Sequence, residues 1–147
     1  MTNQKSVYCS IVLFKNSPKE IKEIVQKLVS INDVNCIHLV DNDEQENISE
    51  VLKLAKVKYT RCGSNLGYGR GHNVAIDDFL QSQCTHMAII NSDISFELDI
   101  FKNLLALSKP IKDVGFISPS FGGPDRYIIN AKYVLSSFTF ILRLLKL

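Results

Sequence analysis

The chain has 147 residues, 46% hydrophobic and 22% charged, which suits one globular domain with a sizeable core and argues against disorder. A formal net charge of +2, spread evenly, is too small to mark a nucleic-acid-binding protein. No run reaches the roughly 18 apolar residues that span a bilayer, and the N-terminal MTNQKSVYCSIVLF lacks the form of a signal peptide.

In chain order, VYCSIVLF (7–14) is apolar and β-rich and reads as a buried strand. NSPKEIKEIVQKLVSI follows, with Ser17 as N-cap, Pro18 at the first helical position and Glu20 completing a capping box. Ile21, Ile24, Val25, Leu28 and Val29 give that helix one apolar face. CIHLVDND is a second strand ending in acid, ENISEVLKLAK a second helix and VKYTRC a third strand. A glycine cluster comes next, then a helix through NVAIDDFLQSQ, a fourth strand HMAII running into NSDISF, a helix LDIFKNLLALSK and a further strand VGFISPS. Short apolar strands alternating with helices imply a mainly parallel sheet in an α/β domain. Cys9, Cys36, Cys62 and Cys84 form no CxxC pair and no zinc-finger spacing, so they are expected as reduced, partly buried thiols of a cytoplasmic protein. His38 and His86 lie in or beside strands and are assigned no chemistry.

Ligands of such sheets sit outside the carboxyl ends of the strands. The segments expected there are 14–17, 41–43, 63–73, 91–93 and 118–123, all rich in Asp, Asn, Ser or Gly. The stretch GSNLGYGRGHNVAI (63–76) holds four of the chain's 7 glycines. It follows the third strand and reads GxGxG, whereas a dinucleotide fingerprint needs GxGxxG directly after the first. It also lacks the GK[ST] of a P-loop.

SNLGYGRGHNVAI, preceded by LVDN and followed by IINSDI, resembles the nucleotide-sugar half of family-2 glycosyltransferases, in the rhamnosyltransferase-like branch that builds surface polysaccharides. The match runs over roughly 7–120. The resemblance implies a three-layer, Rossmann-like GT-A domain over 1–120, with 121–147 a loop and an amphipathic helix. It implies transfer of a sugar from a UDP- or dTDP-sugar to a polysaccharide or lipid-linked acceptor, by metal-assisted inverting displacement.

On that resemblance Asp41 hydrogen-bonds the base, an ionised carboxylate being acceptor-only and matched to an imide N–H. The plainer alternative is a solvated strand-end acid, the reading given to Asp43. Asp93 holds Mg²⁺ or Mn²⁺ with the diphosphate, and Asn91, in place of an acid, bonds the ribose. The alternative for NSD is an Asx-capped turn. Asn65 and Gly67 shape the loop, Gly69 and Gly71 leave room for the ligand, and a helix starting near Arg70–Asn73 turns its positive end to the diphosphate, with Arg70 adding a contact. His72 stands where many relatives have arginine, and its plainer reading is an exposed helix-start residue.

No catalytic base is identified. The family carries it, with the acceptor site, in a second half that is expected to be missing here, and Asp125 in its Gly/Pro turn is a poor substitute. The alternative function is therefore a non-catalytic nucleotide-sugar-binding remnant or partner subunit. The apolar face of YVLSSFTFILRLLKL (133–147) has two expected fates: packing on the domain or another chain, or lying at the inner membrane face.

Overall fold

The computed structural model describes residues 6–43, 47–108, 115 and 117–119. The two most apolar runs become the two central strands, β1 (Val7–Leu13) and β2 (Val34–Asp41). Their pairing is parallel, from Val7↔Val34 to Leu13↔Asp41, with one irregularity between Val7 and Tyr8. β3 (Val57–Arg61) adds to the far side of β2, and β4 (His86–Ile89) to the other side of β1. The sheet is four-stranded and wholly parallel, in the order β3-β2-β1-β4.

Helix α1 (Pro18–Val29) starts where its capping chemistry dictates, with the Ser17 N–H donating to Glu20 Oε2 at 3.2 Å. Ile21, Ile24, Val25 and Leu28 form its buried stripe. The second expected helix shrinks to one turn, α2 (Ser49–Leu52). Only Ile48 and Val51 are buried there, so no longer apolar face exists to be packed. Lys56, at φ +69°, turns the chain into β3, and its ammonium donates to the Val29 and Ile31 carbonyls at 3.0 Å each.

Helix α3 (Tyr68–Gln81) begins at Tyr68, earlier than expected, with Gly67 as N-cap at φ +79°. It packs on β1 and β2. Tyr8, Val40 and Ala75 centre this layer, with Phe79, Met87, Cys36 and Cys84 around them. Successive strands run outward from β1 to β3, and α3 then carries the chain back across the sheet to β4. Right-handed crossovers put α1 and α2, which touch each other, on one face and α3 on the opposite face. All four cysteines are free, Cys9 buried and the others partly so, as expected.

The chain divides into two compact units, 1–101 and 102–147. The sheet belongs to the first. Helix α4 (Ile100–Ser108) crosses the division, and of the expected strand VGFISPS the described residues, 115 and 117–119, are in no strand. Asp125 and 133–147 lie outside the described residues. No helix among the described residues is long and apolar enough to cross a membrane.

Candidate functional site

The reversal of strand order at β1 makes neighbouring connections leave on opposite sides, which opens a crevice between the carboxyl ends of β1 and β4. A cleft of about 370 Å³ occupies this place. Val12, Phe14 and Asn16 line it from β1 and the turn beyond, and Asn91, Ser92 and Asp93 from the end of β4. Asn42, Asn65, Gly67 and Tyr68 close the third side.

Side-chain amides fix these loops to one another. The Phe14 N–H donates to Asn16 Oδ1 at 2.7 Å, and Asn16 Nδ2 donates to Ser92 Oγ at 2.6 Å, joining the β1 turn to the β4 turn. Asn65 Oδ1 accepts the Gly67 N–H at 2.8 Å, an Asx turn that sets up the cap of α3. Asn42 Nδ2 donates to the Gly67 carbonyl at 3.2 Å. The Tyr68 hydroxyl donates to Asn91 Oδ1 at 2.7 Å. Burial and the nearby Asp93 carboxylate push the Tyr68 phenol up, so it keeps its proton and this donor role at neutral pH.

Of the expected site residues, Asn65, Gly67, Asn91 and Asp93 come together on the cleft. Arg70 and Asn73 are exposed on α3 and do not line it. Asp41 is fully buried and does not line it either. Its Oδ2 accepts the Tyr59 hydroxyl and its Oδ1 accepts the Asp43 N–H at 3.0 Å, so it is not a solvated strand-end acid. Burial and the bond to Asp41 push the Tyr59 phenol up to about 12. The neighbouring Asn42 faces the cleft instead. It is 4% exposed, and its Oδ1 has no hydrogen-bond partner among the described residues.

Two other expectations are corrected. Gly71 does not make room for a ligand: a Cβ there would meet Val12 Cγ2 at 2.8 Å, so its role is close packing of α3 on β1. Gly69 has open space around it. His72 is no exposed helix-start residue. It is 3% exposed, shares a 2.7 Å hydrogen bond with Ser10 through Nδ1, and stands edge-on to the Tyr68 ring at 4.4 Å. Burial lowers its pKa, so it is neutral at pH 7 and supplies no charge to a phosphate.

The sequence reading named no role for Val12, Phe14, Asn16, Asn42, Tyr68 or Ser92. Strand alternation carried the signal for Asn42: Tyr8, Ser10 and Val12 face α3, as do His38 and Val40 of β2, and parity places Asn42 with them and Asp41 opposite.

Asp93 is the one formal charge on the cleft wall among the described residues. Among the described residues no three His, Cys, Asp or Glu side chains are grouped to hold a metal. The oxygen donors at the β4 end suit a hard cation only if a ligand's phosphates complete its shell. In comparisons with known proteins, the chain matches no protein-family model, no curated protein and no solved structure.

Proposed function

We propose that this cleft binds a nucleoside-diphosphate sugar and that the protein serves in transfer of the sugar to a hydroxyl acceptor. One observation carries the reading: among the described residues the wall at the strand-order reversal combines four carboxamides, Asn16, Asn42, Asn65 and Asn91, with the first turn of α3 and a single carboxylate, Asp93. A carboxamide offers both donors and an acceptor, and the vicinal hydroxyls of ribose and hexose do the same. The first-turn N–H groups of a helix have no intrahelical acceptor and favour an anion. Unpartnered Asn42 Oδ1 is an acceptor for a ligand N–H or O–H, which suits the imide of uracil or thymine. Asp93 and the ligand's phosphates would hold Mg²⁺ or Mn²⁺, whose charge stabilises a leaving diphosphate when bound.

Titration calorimetry of the full chain with UDP, dTDP, GDP, their sugars and NAD, with and without Mn²⁺, tests this. The expected result is Mn²⁺-enhanced binding of the pyrimidine diphosphates ahead of GDP, and none of NAD. Preference for NAD, or no response to any diphosphate, rejects the reading.

A further inference from the structure

We propose that Lys15, in the turn after β1, is the cation that contacts the ligand's diphosphate. The inference rests on the proposed nucleoside-diphosphate ligand.

Three residues other than glycine have positive φ among the described residues: Lys15 at +56°, Asn47 at +60° and Lys56 at +69°. Asparagine tolerates this conformation and lysine does not gain from it. Lys56 is compensated, because its backbone turn delivers its ammonium to two carbonyls at the end of α1. Lys15 has no such return. Its ammonium stands 5.3 Å from the centroid of the Phe14 ring, and it makes no ion pair among the described residues. An exposed cation–π contact of this kind is weak.

The turn that holds Lys15 in this conformation is built firmly. The Phe14 N–H is tied to Asn16 Oδ1, and Asn16 to Ser92, on either side of it. Strain kept by surrounding hydrogen bonds at the rim of a cleft is the pattern of a binding residue. Electrostatics supply the partner. Among the described residues the wall holds Asp93 and no Lys, Arg or charged His, so an incoming diphosphate meets a like charge. Phe14, which carries the Lys15 ammonium on its ring, is itself part of that wall and 42% exposed. Rotation about the lysine stem exchanges the ring contact for a charge-assisted bond to phosphate, which is the stronger of the two.

The test compares wild type, Lys15→Gly and Lys15→Arg as full chains, by titration with UDP and with uridine in Mn²⁺, together with thermal unfolding. Lys15→Gly is expected to bind UDP about tenfold more weakly, with a shallower dependence on salt. Its uridine affinity should be unchanged and its unfolding midpoint equal or higher, since glycine relieves the positive φ. Lys15→Arg should bind UDP within about threefold of wild type. Wild-type UDP affinity in Lys15→Gly overturns the assignment alone, as does an equal loss for uridine. Absence of UDP and dTDP binding by the wild type overturns the ligand reading and this inference with it.

Discussion

Gly71 lies flat on Val12: a Cβ at position 71 would stand 2.8 Å from Val12 Cγ2 and 3.0 Å from Cγ1. Valine is stiff at χ1, so the contact is relieved by moving α3 away from β1. Gly71→Ala is therefore expected to destabilise the fold by about 1–3 kcal/mol, as overpacking does. Gly69, two residues earlier with open space, should gain up to about 1 kcal/mol on replacement by alanine. Urea unfolding of both variants checks this, and equal effects would remove the distinction between a packing glycine and a surface one.

That pair also shows which parts of the molecule were legible in the sequence. Strong local signals held: the Ser17–Pro18–Glu20 start of α1, the apolar strands, and the alternation that makes the sheet parallel. The glycine cluster lies at the strand ends, as its position after the third strand implies, yet its members differ in purpose. Gly67 turns at φ +79°, Gly69 is open and Gly71 packs. Local sequence cannot separate them, because Val12 lies 59 residues before Gly71 and only the tertiary fold brings the two together. The second helix was overestimated for the same reason: its periodic apolar residues had no surface to meet beyond Ile48 and Val51. The burial of His72 is not legible either, because nothing local announces its partner Ser10.

Stability should fall on acidification from neutral pH, and His38 sets much of the slope. The Tyr8 hydroxyl gives its single proton to Asp78, so its oxygen accepts from His38 Nδ1–H at 2.8 Å. His38 Nε2 then accepts the Thr60 hydroxyl at 2.8 Å, and Lys58 pairs with the other Asp78 oxygen. Burial lowers the His38 pKa from its usual 6.5 to about 4, with Lys58 adding to and Asp78 opposing the effect. The folded value lies below the unfolded one, so nothing is lost above pH 7. Between about 6.5 and 4 the unfolded chain takes up a proton that the native state refuses, which removes up to about 3 kcal/mol. His72, lowered by burial, acts in the same direction. Asp78, held low by Lys58 and Tyr8, loses its stabilising share only below the usual carboxylate range. Urea unfolding at pH 7.5, 6 and 5 should show His38→Gln less stable at 7.5 but with a shallower slope. An unchanged slope would contradict the buried neutral imidazole.

Asp93 should govern the metal response without supporting the fold. It is exposed at the end of β4 and is the one carboxylate on the cleft among the described residues. Asp93→Ala should leave the unfolding midpoint unchanged. Loss of one charged contact, worth about 1.5–3 kcal/mol, should weaken UDP binding in Mn²⁺ about tenfold or more and abolish the difference between Mn²⁺ and EDTA. A variant that still binds UDP more tightly with Mn²⁺ would place the cation elsewhere.

Asp41 and Asn42 should separate cleanly, one into stability and the other into binding. Asp41 is buried away from the cleft with both oxygens engaged, so Asp41→Ala strands the Tyr59 hydroxyl and the Asp43 N–H. That costs about 1–3 kcal/mol, or a fall in midpoint of roughly 3–8 °C. The folded fraction should still bind UDP within about twofold, since the altered side chain makes no ligand contact. Asn42 presents a buried acceptor to the cleft and a donor to the Gly67 carbonyl. Asn42→Ala should weaken UDP and dTDP about tenfold, because the ligand loses an acceptor while Gly67 can bond to water instead. Calorimetry at a temperature where each variant is fully folded decides between them. If Asp41→Ala loses UDP affinity and Asn42→Ala does not, base recognition belongs to Asp41, and the β2 end must open on ligand binding to expose it.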